Sequence, residues 1–108
     1  MTAVAYRLPV QSTPIRIALE EPGLLVVTGD LDDLAVPALR SALETHGGAA
    51  ELTVDLGDAS YVCSQAVSVL VGATRGAHAM GRTLRLTAPT GSIAERVLAV
   101  LGIPHDAT

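Results

Sequence analysis

The chain has 108 residues, enough for one domain with a modest core, and its 49% hydrophobic content excludes a chain that stays disordered. The formal net charge is −4, and the seven basic residues, all Arg, are scattered from Arg7 to Arg96. With Tyr6 and Tyr61 as the only aromatics, there is neither a basic face nor a stacking platform, so nucleic acid is not an expected partner. No apolar run reaches the ~20 residues of a membrane helix, so no membrane insertion is expected. Residues 1–10 lack the pattern of a signal peptide. The one cysteine, Cys63, cannot form an internal disulfide, which points to the cytoplasm.

Residues 1–13 read as an N-terminal arm or short edge strand, and residues 14–108 as one folded domain. Ile15 to Leu19 alternates as a strand, Glu21-Pro22-Gly23 is turn chemistry, and Leu24 to Thr28 is a more buried strand. The pair predicts an antiparallel hairpin. A helix is expected next, after Asp33 and through about His46, with the apolar Leu34, Ala38, Leu39, Ala42 and Leu43 at helical spacing. Pro37 must lie in its first turn because it has no N–H to donate. Asp32 and Asp33 would then sit at the positive helix end, and Gly47-Gly48 would stop it.

Leu52, Val54 and Leu56 alternate as a strand, with Asp55 and Asp58 bracketing an expected strand-to-loop turn. Ser64 to about Met80 has helical spacing, and Gly81 ends it. Thr83 to Thr87 alternates again. Ser92 and Glu95 form a capping-box pattern before a last helix expected to bury Ile93, Val97, Val100 and Leu101. The order predicts an α/β fold: a mixed sheet of four to five strands with three to four helices. His46, His78 and His105 read as isolated surface residues rather than metal ligands, and no metal site is expected.

The segment Cys63-Ser64-Gln65 interrupts two apolar runs. Ser64 fits a helix cap, and the same position would suit a phosphoacceptor, because a helix N-terminus tolerates a phosphate dianion. Cys63 reads chiefly as a buried small hydrophobe and is the one candidate for redox chemistry. No partner base supports a thiol enzyme, so no catalytic residue is assigned. Ala66, Val69, Leu70, Ala73 and Ala77 form the core face of this helix, while Val67 and Val71 form a second line. That line is either covered by another element or exposed as an apolar contact patch beside Ser64.

Three motifs in this order resemble the STAS domain family, as found in bacterial anti-sigma factor antagonists. They are Gly29-Asp30-Leu31-Asp32, Val36-Pro37-Ala38-Leu39-Arg40 and the run from Thr53 to Val62. Leu84-Arg85-Leu86 and Arg96-Val97-Leu98 extend the likeness over roughly residues 14–103. The family's loop usually reads Asp-Ser-Ser-Gly or Asp-Ser-Thr-Gly, with the first Ser phosphorylated. Here it reads Cys63-Ser64-Gln65-Ala66, so the hydroxyl is kept while its neighbours differ.

The resemblance implies a single-domain STAS-like fold with helices mainly on one face. It implies a regulator, not an enzyme, that binds an anti-sigma factor, often a serine kinase, and is switched off by phosphorylation of Ser64. The kinase would bring ATP and magnesium, and this chain would need no cofactor. Asp30, Asp32, Ser64, Gln65, Val67, Ser68 and Val71 are the expected partner-binding residues, and a homodimer is compatible with the reading. The alternative is a STAS scaffold without phosphorylation, or the accessory subunit of a transport ATPase.

Overall fold

The computed structural model describes residues 14–108, and the arm or edge strand expected at 1–13 lies outside the described residues. The first alternating stretches fold as the expected hairpin, β1 (Arg16–Glu21) and β2 (Leu24–Leu31), with Arg16 opposite Thr28 and Leu19 opposite Leu25. Gly23 turns the chain at φ +83°, and its carbonyl accepts from the Thr53 N–H at 2.7 Å. There follow α1 (Val36–His46), β3 (Glu51–Val62), α2 (Ser64–Ala79), β4 (Thr83–Ala88), α3 (Ile93–Val100) and the two-residue β5 (Asp106–Ala107). The strands lie in the order β1-β2-β3-β4-β5, with the first pair antiparallel and the others parallel.

Parallel neighbours in sequential order require crossovers that all step the same way, and right-handed crossovers of that kind keep their helices on one face. Burial is accordingly one-sided. Leu25, Val27 and Leu31 of β2, Leu52, Val54 and Leu56 of β3, and Leu84 and Leu86 of β4 are buried, while Val26, Thr28, Thr53, Asp55 and Thr87 between them are not. The buried residues of the three helices join the same cluster, through Leu39 and Leu43, Ala66, Val67 and Leu70, and Ala94 and Leu98. Each buried Leu contributes about 1.5–3 kcal/mol. Among the described residues no polar or charged side chain is buried, so the core is aliphatic, as the lack of aromatics requires.

Four sequence expectations are corrected. The strand β2 does not stop at Thr28 but runs to Leu31, because Gly29, Asp30 and Leu31 keep pairing with β3. The strand β3 likewise continues through the supposed turn at Asp55–Asp58. Asp55 Oδ1 accepts from the Gly57 N–H at 2.8 Å there, and the pairing with β2 slips between Val26 and Thr28. This is a bulge within a strand, and local Asp-Gly turn chemistry is shared by both.

The helix α1 begins only at Val36, so its first turn contains no acid, and Leu34 is 90% exposed outside it. Pro37 does lie in the first turn. In α3 the buried residues are Ala94 and Leu98, whereas Ile93, Val100 and Leu101 are exposed. Both ends of this two-turn helix are clamped: Ser92 Oγ accepts from the Glu95 N–H, and Leu98 O accepts from the Ile103 N–H. These caps fix where the helix starts and stops, while the face packed on the core is the one that carries the small Ala94 and, one turn on, Leu98, not the more hydrophobic stripe.

Candidate functional site

The candidate residues converge because β2 and β3 end together. Leu31 pairs with Val62, and the Cys63 N–H extends that ladder by donating to Leu31 O at 2.8 Å. Beyond these last rungs one chain leads toward α1 and the other enters α2 directly, so both helix entries lie at the carboxyl edge of the sheet, where open α/β sheets commonly bind their ligands.

Cys63, not Ser64, is the N-cap of α2. Its backbone is extended (φ −84°, ψ 165°), and its Sγ accepts from the Ala66 N–H at 3.4 Å. The free thiol is buried, as a small hydrophobe would be. Ser64 is therefore the first helical residue, exposed and with no capping duty, and Gln65 beside it is exposed as well. The structure keeps Ser64 at the helix start but moves the cap one residue back.

Asp30 and Asp32 differ in role. Asp30 is a strand residue and no helix cap; its Oδ1 accepts from Ser60 Oγ at 2.7 Å, tying β2 to β3 near their ends. Asp32 Oδ1 accepts from the Ala35 N–H at 3.0 Å and so shapes the turn that precedes α1. On α2 the second valine line is largely covered. Val67 is 7% exposed and part of the core, and Val71 is partly buried against it. The apolar patch anticipated there is absent, because α2 lies deep enough to bury a face wider than the five residues assigned to the core. What α2 offers beside Ser64 is polar and small: Gln65, Ser68 and Gly72 are exposed.

Gln65 and Ser68 also line a groove of about 750 Å³ between α1 and α2. Its α1 wall carries Arg40 and Glu44, its α2 wall Gly72 and Gly76, and Arg82 also lines it, with Nη1 donating to Gly47 O at 3.4 Å. Sequence reasoning missed this wall. The available signal was the pair Gly72 and Gly76, one turn apart in an otherwise ordinary helix. His105, expected to stand alone at the surface, is instead partly buried and paired with Glu95 at 2.9 Å. No group of three His, Cys, Asp or Glu side chains among the described residues could hold a metal ion. No helix among the described residues is long and apolar enough to cross a membrane.

The family model described as Mlab, STAS domain matches residues 16–105, and the chain belongs to the STAS domain family. Among solved structures, it is similar to an anti-sigma factor antagonist from Mycobacterium paratuberculosis, at 19% identity and a TM-score of 0.70 over 88% of this chain and 87% of that one. It is also similar to the anti-sigma factor antagonist SpoIIAA in its unphosphorylated form, at 20% identity and a TM-score of 0.66 over 88% and 89% of the two chains. For the phosphorylated form of the Bacillus cell fate determinant SpoIIAA the values are 21% and 0.60, over 88% and 92%. At these identities the likeness is one of fold.

Proposed function

We propose that this protein is an anti-sigma factor antagonist that binds an anti-sigma factor, commonly a serine kinase, through the carboxyl edge of its sheet, and that phosphorylation of Ser64 releases it. The observation that carries the reading is the exposed Ser64 hydroxyl on the first residue of α2, free of capping and flanked by Gln65. A phosphate there faces the positive end of a 16-residue helix, so the fold tolerates it, while a docked surface gains about two negative charges. Asp30, Asp32, Gln65 and Ser68 form the rim of the contact, Val71 adds its uncovered part, and Val67 acts from beneath as support. The protein works as a regulator with no chemistry and no cofactor of its own, in the cytoplasm.

Purified anti-sigma kinase, with ATP and magnesium, tests the proposal directly. Mass spectrometry should find phosphate at Ser64 of the wild type and none on Ser64→Ala. Calorimetry should show Ser64→Ala binding like wild type and Ser64→Asp at least tenfold weaker, about 1.4 kcal/mol. Neither variant removes a cap, and Asp is favoured at a helix start, so misfolding cannot imitate the loss. Tight binding by Ser64→Asp would overturn the switch.

One observation favours a second reading, a STAS scaffold or the accessory subunit of a transport ATPase that docks without phosphorylation. The loop reads Cys63-Ser64-Gln65-Ala66, with a buried thiol supplying the cap, and the matching family model is the Mlab one. Under that reading the same edge binds a partner whose affinity ignores charge at residue 64.

A further inference from the structure

Residues 103–108 return from α3 along the outer edge of β4. The end of α3 fixes where they start: the Gly102 N–H donates to Ala99 O and the Ile103 N–H to Leu98 O, and Ile103 packs against the core. Beyond Ile103 the hold on the sheet is slight. Asp106 pairs with Thr87, Ala107 pairs with Ala88, and the Thr108 N–H donates to Ala88 O at 2.9 Å.

Between these two attachments stands His105. One ring nitrogen, Nδ1, lies 2.7 Å from Ile103 O, and the other, Nε2, lies 2.9 Å from Glu95 Oε2. Both neighbours are acceptors. A neutral imidazole has one N–H and can satisfy only one of them, whereas an imidazolium donates to both. Glu95 is held in place independently, since its Oε1 accepts from the Gly91 N–H at 3.1 Å and its backbone N–H is bound by Ser92 Oγ.

We propose that residues 103–108 form a proton-tightened strap: the His105 imidazolium fastens the segment to α3 and holds β5 on the edge of β4, and loss of that proton loosens it. Opening the strap uncovers the backbone of Thr87 and Ala88, an unpaired parallel edge of the kind that recruits another strand. The Ile103 carbonyl and then the Glu95 carboxylate raise the His105 pKa above its ordinary 6.5. The Gly91 N–H and then His105 lower that of Glu95 below 4.5. The other charges acting on the pair are Arg96 of α3, on Glu95, and Asp106 of the strap, on His105.

A raised folded-state pKa gives stability that is complete below 6.5 and lost as pH rises through the folded value. The lowered Glu95 value adds stability above 4.5 that is lost as pH falls through its own folded value. The strap is therefore tightest between the two ordinary values, from 4.5 to 6.5, and loosens on either side as the pH approaches each folded value.

The test is NMR on the whole chain from pH 5 to 9, following the His105 ring signals and the exchange protection of the Thr108 amide, with the Val54 amide as control for the core. The His105 midpoint should lie above 6.5, and Thr108 protection should fall through that midpoint by tenfold for each pH unit separating the folded and open values. Glu95→Gln should lower both the midpoint and the protection at neutral pH. His105→Gln should make Thr108 protection independent of pH while Val54 stays protected. Thr108 protection that ignores the His105 titration, or that keeps its wild-type pH profile in His105→Gln, would overturn the proposal.

Discussion

Val67 and Ser64, three residues apart on α2, carry opposite burdens. Val67 is inside the core cluster, so Val67→Ser removes methyl contacts and buries a hydroxyl, at a cost of about 2 kcal/mol. Ser64 is exposed and caps nothing, so Ser64→Ala should change stability by less than about 0.5 kcal/mol. Urea unfolding of the two variants measures both. A cheap Val67→Ser would mean that this side of α2 is open after all. The hydroxyl at Ser64 and the apolar nature of Val67 were both legible in the sequence. Which of Cys63 and Ser64 would cap the helix was not, because either can face the same N–H and only the point at which the backbone turns helical decides between them.

Helix and strand boundaries were legible where a backbone rule applies. Pro37 fixed the start of α1 to within a turn, and Gly81 follows α2, where its N–H donates to His78 O and that of Arg82 to Ala77 O. The glycines divide by environment. A Cβ on Gly72 would meet nothing within 4 Å, so Gly72→Ala should raise stability by about 0.5–1 kcal/mol through helix propensity. At Gly23 the φ of +83° and the Glu51 carbonyl 3.1 Å from an added Cβ oppose any side chain. Gly23→Ala should therefore cost about 1–2 kcal/mol. Thermal melts of the pair should move in opposite directions. If the groove between α1 and α2 receives the partner, Gly72→Ala will also weaken binding while it strengthens the fold.

At the scale of the whole molecule, a core without aromatic rings rests on interdigitated aliphatics on one face of the sheet. Leu56 is fully buried in the central strand β3, so shortening its side chain leaves a cavity in the core. Leu56→Ala should cost about 2–5 kcal/mol, a large part of the roughly 5–15 kcal/mol that holds a domain folded. Chemical denaturation should show this as a lower midpoint with an unchanged slope. A much smaller loss would mean that α3 and the end of β3 pack more loosely than their burial indicates.

What the sequence determined by itself was the order of elements from β1 to α3, though not β5 beyond it, the α/β class and the hairpin, since period-two and helical spacing are local properties carried by residues such as Leu52, Val54 and Leu56. It also determined that a hydroxyl stands at the start of the second helix. Tertiary structure alone decided the rest. The strands β2 and β3 run on past their turn-like sequences because each supplies the other's hydrogen bonds, a partner that no local pattern reveals. The helix α3 turns Ala94 and Leu98 inward, against its own hydrophobicity, because that is the face packed on the core formed by the sheet. Val67 is buried because α2 is pressed into a sheet assembled from distant segments. His105 meets Glu95 because β5 must run parallel beside β4, which returns the chain past the start of α3. In each case the deciding contact joins residues that the chain separates and only the assembled sheet brings together.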